Sequence, residues 1–343
     1  MRFIYLVRSS IALTLIVIVL GAYTRLSDAG LGCPDWPGCY GHLTVPNDSH
    51  EVARAQRLFP EAHIEPHKAW LEMIHRYVAG VLGMMIFAIT ALSIRRHDVS
   101  KTLSVLISVV VIFQAMLGMW TVTMKLNPLV VMGHLLGGFT LLCLLCLFYW
   151  QLTRAYTFHA PVSFTPSLKW LSIAAMVCVV VQIALGGWTS ANYAAFMCSE
   201  LPFCEGSWTR FLNFKEAFTL VQPPRESYEF GTLDYGARMT IHFTHRIGAL
   251  VVCAILLALI TAIYRHSLHA RKLGLVVAGL LVTQIALGIS NVLFSLPLLT
   301  AVAHNLVAAL LLVSVLYTMM IIWRADHFAD KAQAAPNSRG ELL

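Results

Sequence analysis

The chain has 343 residues, of which 58% are hydrophobic and only 12% charged, whereas an ordinary soluble domain carries roughly 25% charged residues. The apolar residues collect in runs of about twenty, the length with which a helix crosses about 30 Å of hydrocarbon, and this excludes a soluble globular class. The formal charge of +7 lies between those runs and not on one soluble face, which fits a chain in contact with membrane lipid and speaks against a nucleic-acid partner.

Eight spans are expected in chain order, at 9–25, 69–92, 102–123, 129–150, 169–190, 237–263, 273–294 and 298–323. The first lacks a small-residue cleavage site and runs directly into Arg25, so it reads as a retained helix and not as a signal peptide. Arg2 and Arg8 precede it. Arg95, Arg96 and Lys101 join the second and third spans, Arg154 and Lys169 bracket the centre, Arg265, Arg271 and Lys272 join the sixth and seventh, and Arg324 and Lys331 follow the eighth. By the positive-inside rule these segments face the cytoplasm, which places both termini inside and the long segments 26–68 and 191–236 outside. The expected fold class is an all-α integral membrane protein of eight transmembrane helices, built as two tandem four-helix bundles related by a pseudo-two-fold axis. Residues 1–150 form the N-terminal half, 151–168 a cytoplasmic linker with Pro161 and Pro166, 169–324 the C-terminal half, and 325–343 a polar cytoplasmic tail.

The two halves repeat each other. Ile74-His75-Arg76 returns as Thr244-His245-Arg246, Gln114-Ala115-Met116-Leu117-Gly118 as Gln284-Ile285-Ala286-Leu287-Gly288, and His134 as His304, all at an offset of 170. Gly21-Ala22-Tyr23-Thr24 returns as Gly186-Gly187-Trp188-Thr189, and Cys33 and Cys39 as Cys198 and Cys204, at an offset of 165. The difference of five falls in an outer loop, where insertion costs least. Four spans per repeat keep the halves in the same orientation, so the axis relating them should lie along the membrane normal. Each odd span nears the outer surface with Leu-Gly, and each even span carries a histidine within about two turns of its outer end. Those glycines read either as close helix packing or as room for a flat ligand.

An intramembrane histidine is costly enough to propose a function, and four at one depth in two equally spaced pairs do so strongly. The second and fourth spans of each half run parallel, so His75 can face His134 and His245 can face His304. Facing imidazoles in a four-helix bundle suit a haem with two axial ligands. Zinc or di-iron sites call for more Cys, Asp or Glu at that depth. Glu72 lies one turn outward of His75 on the same helix face, while the second half has His242 in its place. A carboxylate at the edge of an apolar pocket is placed for acid–base work; the plainer reading is an interfacial charge paired with Arg76 or Lys68. Cys33 with Cys39 and Cys198 with Cys204 lie in outward loops, where two disulfides are expected. Cys143 and Cys146 read as packing residues, and His63 and His67 as solvated side chains with only a weak claim to metal.

Together, Gly21-Ala22-Tyr23-Thr24-Arg25-Leu26-Ser27-Asp28-Ala29-Gly30-Leu31-Gly32-Cys33-Pro34-Asp35-Trp36-Pro37, Glu72-Met73-Ile74-His75-Arg76, His242-Phe243-Thr244-His245-Arg246, His134 and His304 give a chain that resembles the haem A synthase family over about residues 10–323. The resemblance implies oxidation of a methyl group of haem O to a formyl group through a hydroxymethyl intermediate. It implies His75 and His134 as axial ligands of the substrate, His245 and His304 as those of a resident haem b cofactor, Glu72 as the catalytic residue, and Cys33 and Cys39 as a functional loop pair. Expected partners are haem O, its synthase, assembly factors of the terminal oxidase and an electron acceptor that the sequence does not identify. With no targeting segment ahead of the first span, the expected location is a bacterial inner membrane. The alternatives are a di-haem b electron-transfer cytochrome without substrate chemistry, against which the Glu72/His242 difference speaks, and a haem transporter.

Overall fold

The computed structural model describes residues 2–153, 164–265 and 268–333, without the side chains of 268, 269 and 325–333. Arg154, His159, His266, most of the linker 151–168 and the end of the tail lie outside the described residues, as do the side chains of His269, His327 and Lys331.

Among the described residues, eight helices are long and apolar enough to cross a membrane. They are α1 (Arg2–Leu26), α3 (Pro66–Ile94), α4 (Lys101–Thr123), α5 (Pro128–Thr153), α6 (Pro166–Ala191), α8 (Tyr235–Tyr264), α9 (Leu268–Leu293) and α10 (Leu298–Gln333). Their starts follow local chemistry. Ser100 Oγ accepts from Leu103 N at 3.2 Å, Thr165 Oγ1 from Leu168 N at 3.4 Å and Asp234 Oδ1 from Ala237 N at 2.6 Å, satisfying amides that have no partner in the first turn. Proline opens α3 and α6, where its missing N–H costs nothing.

The helices overrun the expected spans at their charged ends. Arg2 and Arg8 lie inside α1 and do not precede it, Arg271 and Lys272 lie inside α9, and α10 runs on past Arg324. A helix loses nothing by carrying its own hydrogen bonds out of the hydrocarbon, and long basic side chains reach water from within it. Arg8 also bonds Tyr149 Oη at 3.0 and 2.8 Å. The two long loops hold structure that hydropathy does not reveal: α2 (Ser49–Leu58), a 3₁₀ turn (Trp208–Phe211) and the short α7 (Phe214–Ala217).

Packing divides the spans into two rings of four. In one, α1, α3, α4 and α5 each touch the next and α5 closes on α1; in the other, α6, α8, α9 and α10 do the same. The rings meet where α1 touches α10, α6 touches α5, and α5 touches α10. Exchanging the halves leaves this set of contacts unchanged. One apolar core, including Phe139, Leu142, Val179, Leu256 and Leu312, fills the join and the second ring. A second, including Phe3, Ile86, Ile107, Leu145 and Phe148, fills the first ring. Met84, Leu250, Leu275 and Val282 are exposed, as expected of side chains that face lipid. The protein is a multi-pass membrane protein.

Candidate functional site

His75 on α3, His134 on α5, His245 on α8 and His304 on α10 all line one cavity of about 1590 Å³ that runs through both rings. A site for one small ligand spans roughly 300–1,000 Å³, so this cavity has room for two. The His75 and His134 rings face each other with centroids 6.4 Å apart and planes at 84°. Two imidazoles on one metal ion, each with its nitrogen about 2.0–2.1 Å from the metal and its ring centre about 1.1 Å further back, would have centroids about 6.3 Å apart. The pair therefore has the spacing of two axial ligands on one iron. Nδ1 of both rings is buried without a well-formed hydrogen bond, while the backbone carbonyl of Val17 lies within reach of the His75 ring and that of Gln114 within reach of the His134 ring. Among the described residues no three His, Cys, Asp or Glu converge as a metal cage, so the donor set fits a metal that brings its own equatorial ligands.

Each ring is seated against a glycine of the neighbouring odd span. A Cβ on Gly21 would stand 2.9 Å from His75 Cε1, one on Gly118 3.4 Å from His134 Cε1, one on Gly186 3.1 Å from His245 Cε1, and one on Gly288 3.2 Å from His304 Cε1. The space is thus given to the imidazoles themselves, which is the close helix packing of the two expected readings and not direct room for a flat ligand. The second pair also meets amides. Gln182 Nε2 lies 3.1 Å from His245 Nδ1 and donates to the His245 carbonyl at 2.9 Å, and Gln284 Nε2 lies 3.2 Å from His304 Nε2.

Glu72 is buried on the cavity wall. Its Oε2 accepts from Cys33 N at 2.9 Å, and its Oε1 pairs with Arg76 Nη2. Lys68, the other expected partner, pairs with Glu65. The expected ion pair with Arg76 is present, and it does not remove Glu72 from the cavity wall. A carboxylate offers about four acceptor positions, so these two bonds leave acceptor capacity on a side chain that lines the cavity. His242, at the equivalent place, is buried and accepts weakly from Arg246 Nε at 3.4 Å.

Residues 4–316 match the COX15-CtaA family, cytochrome oxidase assembly protein. The chain belongs to that family. It is 50% identical to the Heme A synthase of Shewanella oneidensis over 94% of this chain and 97% of that protein. It is 24% identical to the Heme A synthase of Halalkalibacterium halodurans over 90% and 93% of the two chains, and 28% identical to that of a Chelativorans species over 88% and 86%.

In this member of the family the arginine that follows the first histidine of each half has a task that sequence reasoning missed. Arg76 Nη1 donates to the carbonyls of Asp35, Pro37 and Gly38 at 3.0, 3.2 and 2.6 Å. Arg246 donates to those of Glu200 and Cys198 at 2.7 and 2.5 Å. Each arginine ties an outer loop down over its pocket. Both loops carry the expected bridge, Cys33–Cys39 in one and Cys198–Cys204 in the other, and all four cysteines are buried. The signal was the repeat of Arg76 as Arg246. Cys143, Cys146, Cys178 and Cys253 are unbridged, with Cys143 and Cys146 in the core, and His63 and His67 are exposed away from the cavity. At the join of the halves Arg25 donates to the Ser190 carbonyl at 2.7 Å and lies 4.1 Å over the Tyr193 ring. Burial holds the Tyr193 phenol above its usual pKa although Arg25 opposes this. Arg25 and Arg238 each keep a buried, unpartnered Nε at the cavity wall.

Proposed function

We propose that this chain is a haem A synthase, which oxidises a methyl group of haem O to a formyl group through a hydroxymethyl intermediate. The observation that carries this reading is the facing pair His75 and His134, 6.4 Å apart, with the buried carboxylate of Glu72 one turn away on the same wall. Family membership and the 50% identical Heme A synthase support it. In this reading His75 and His134 are the axial ligands of haem O. His245 and His304 hold a resident haem b, and Arg25 and Arg238 suit the carboxylate side chains of a porphyrin. The halves are related by a pseudo-two-fold axis along the membrane normal, with both termini cytoplasmic, as the exchange of helix contacts and the basic inner segments support. Haem O is received from its synthase, and haem A passes to assembly factors of the terminal oxidase.

With His75 and His134 on both axial positions of the substrate iron, oxygen activation at that iron is disfavoured. Removal of electrons from the substrate and attack of water on the methyl carbon fit better. The first stage consumes one water, and each of the two stages passes two electrons to an external electron acceptor and releases two protons. Glu72 accepts a proton at its carboxylate on the cavity wall. The Arg76 pair and the Cys33 amide hold that carboxylate in place, and the bridged loop above it keeps bulk water out. A haem b, when bound in the second half, supplies one-electron redox chemistry beside the substrate site.

The test is extraction and chromatography of haem from cells expressing the chain. Wild-type protein should yield haem A. Glu72→Gln keeps the size of the side chain, and Arg76 keeps three loop carbonyls, so the variant should fold. Loss of a general base costs about 10²–10⁴-fold in rate, so haem O or the hydroxymethyl haem should accumulate. Near-normal haem A formation by Glu72→Gln would falsify the base role. Absence of any hydroxylated or formylated haem from wild-type cells would favour a di-haem electron carrier.

A further inference from the structure

The two halves of the cavity differ in how far they run along the helices. In the first half Gly80 and Gly83 of α3 and Ala115 of α4 line it. At the offset of 170 their counterparts on α8 and α9 are Leu250, Cys253 and Ile285. Beyond the small residues the first half continues along Met84, Phe87 and Ile112, whereas the counterparts Ala254, Leu257 and Val282 do not line the cavity. A rotated helix is not the cause, because the alternation of buried and exposed residues over 80–90 repeats residue for residue over 250–260. The difference lies in the side chains. Small residues often serve close helix packing, but a Cβ on Gly80 or Gly83 would meet nothing within 4 Å. These glycines therefore pack against no neighbour, although glycine inside a helix costs stability. They leave an apolar groove that starts at the His75 pocket and opens to lipid at the exposed Met84, Phe87 and Ile112.

We infer that the groove of Gly80, Gly83 and Ala115 takes the farnesyl tail of haem O and makes the first pocket, and not the second, selective for that haem. This rests on the proposed assignment of His75 and His134 as the ligands of haem O. Haem O differs from haem b in carrying a long branched hydrocarbon where haem b has a vinyl group, so a site that tells the two apart has to read that chain. His75 and Phe87 stand twelve residues apart, about 18 Å along the helix, which gives room for a porphyrin edge and then for a chain. The groove runs inward from His75, while Glu72 lies one turn outward. A tail laid in the groove therefore stays in hydrocarbon and turns the carboxylate edge of the porphyrin outward, where Arg25 lines the cavity. In the second half Leu250, Cys253 and Ile285 occupy the same path, which suits a haem without a tail and rejects one that has it.

The experiment is titration of the purified holoprotein with haem O and, separately, with protohaem, which has the vinyl group, read by the low-spin absorbance that two axial histidines give. Wild-type protein should bind haem O about tenfold or more tightly than protohaem, as expected when a pocket reads an added apolar group. Gly80→Leu with Gly83→Cys copies the second half. Both side chains enter open space and both favour helix over glycine, so the protein should fold and keep its haem b. Its preference for haem O should fall to about one, with protohaem binding unchanged. A preference retained by this variant overturns the groove. Equal binding of the two haems by wild-type protein overturns it too, and makes the groove a plain lipid-facing surface. If the double variant does not accumulate, Ala115→Ile narrows the groove from α4 and decides by the same ratio. Haem chromatography of wild-type cells tests the underlying reading separately. If they make haem A while the variant keeps its preference, only the groove falls; if they make none, the synthase reading falls with it.

Discussion

At the scale of single residues, the site is built by what is missing as much as by what is present. His75 fits its place because Gly21 has no Cβ, and its ring lies within contact of where that atom would be. Gly21→Val therefore forces the ring or α1 to move, at a cost of about 1–3 kcal/mol for overpacking. The expected outcome is a folded protein that keeps its resident haem b but forms little haem A, measured by the visible spectrum and by haem chromatography on the same preparation. Normal product from Gly21→Val would show that the contact is incidental. Glu72 shows the same economy, since one carboxylate fastens the loop through Cys33 and Arg76 and still faces the pocket.

At the scale of elements, the outer loops act as lids pinned from below. Cys33, Cys39, Tyr40, Val45 and Ala55 pack on Ala69 and Met73 of α3, and Arg76 reaches up to three loop carbonyls. A ring closed by cysteines six apart contributes about 2 kcal/mol on chain-entropy grounds, less than a long loop would. Cys33→Ala with Cys39→Ala should thus leave the eight spans and the second-half haem intact while loosening the amide that holds Glu72. Haem A formation should fall about tenfold or more, and mass spectrometry of thiol-labelled wild-type protein should find both cysteines blocked until reduction. Unimpaired haem A formation by the double variant would leave the loop bridge without a catalytic role. The spans and bridges were legible because hydropathy and cysteine spacing are local. The charged helix ends and α2 were not, since hydropathy is blind to helix that continues outside the hydrocarbon. The facing of His75 and His134 was legible from the repeat, whereas the contacts of Arg76 and of the four glycines depend on which helix faces which.

At the scale of the whole molecule, a duplicated four-helix ring carries two unlike sites. The rings repeat their contacts, their glycine-seated histidines and their arginine-pinned loops, yet Glu72 faces His242 and Gly80 faces Leu250 across the repeat. Duplication accounts for the histidines repeated in both rings, and on the proposed reading the first half converts haem O while the second holds haem b. The most direct measurement of this division is the haem b spectrum of purified His75→Ala and His245→Ala proteins, each with its extracted haem chromatographed. The account predicts that His75→Ala keeps most of its haem b and makes no haem A, while His245→Ala loses the haem b spectrum. A His245→Ala protein with normal haem b content, or a His75→Ala protein that loses the resident haem and still makes haem A, would contradict it.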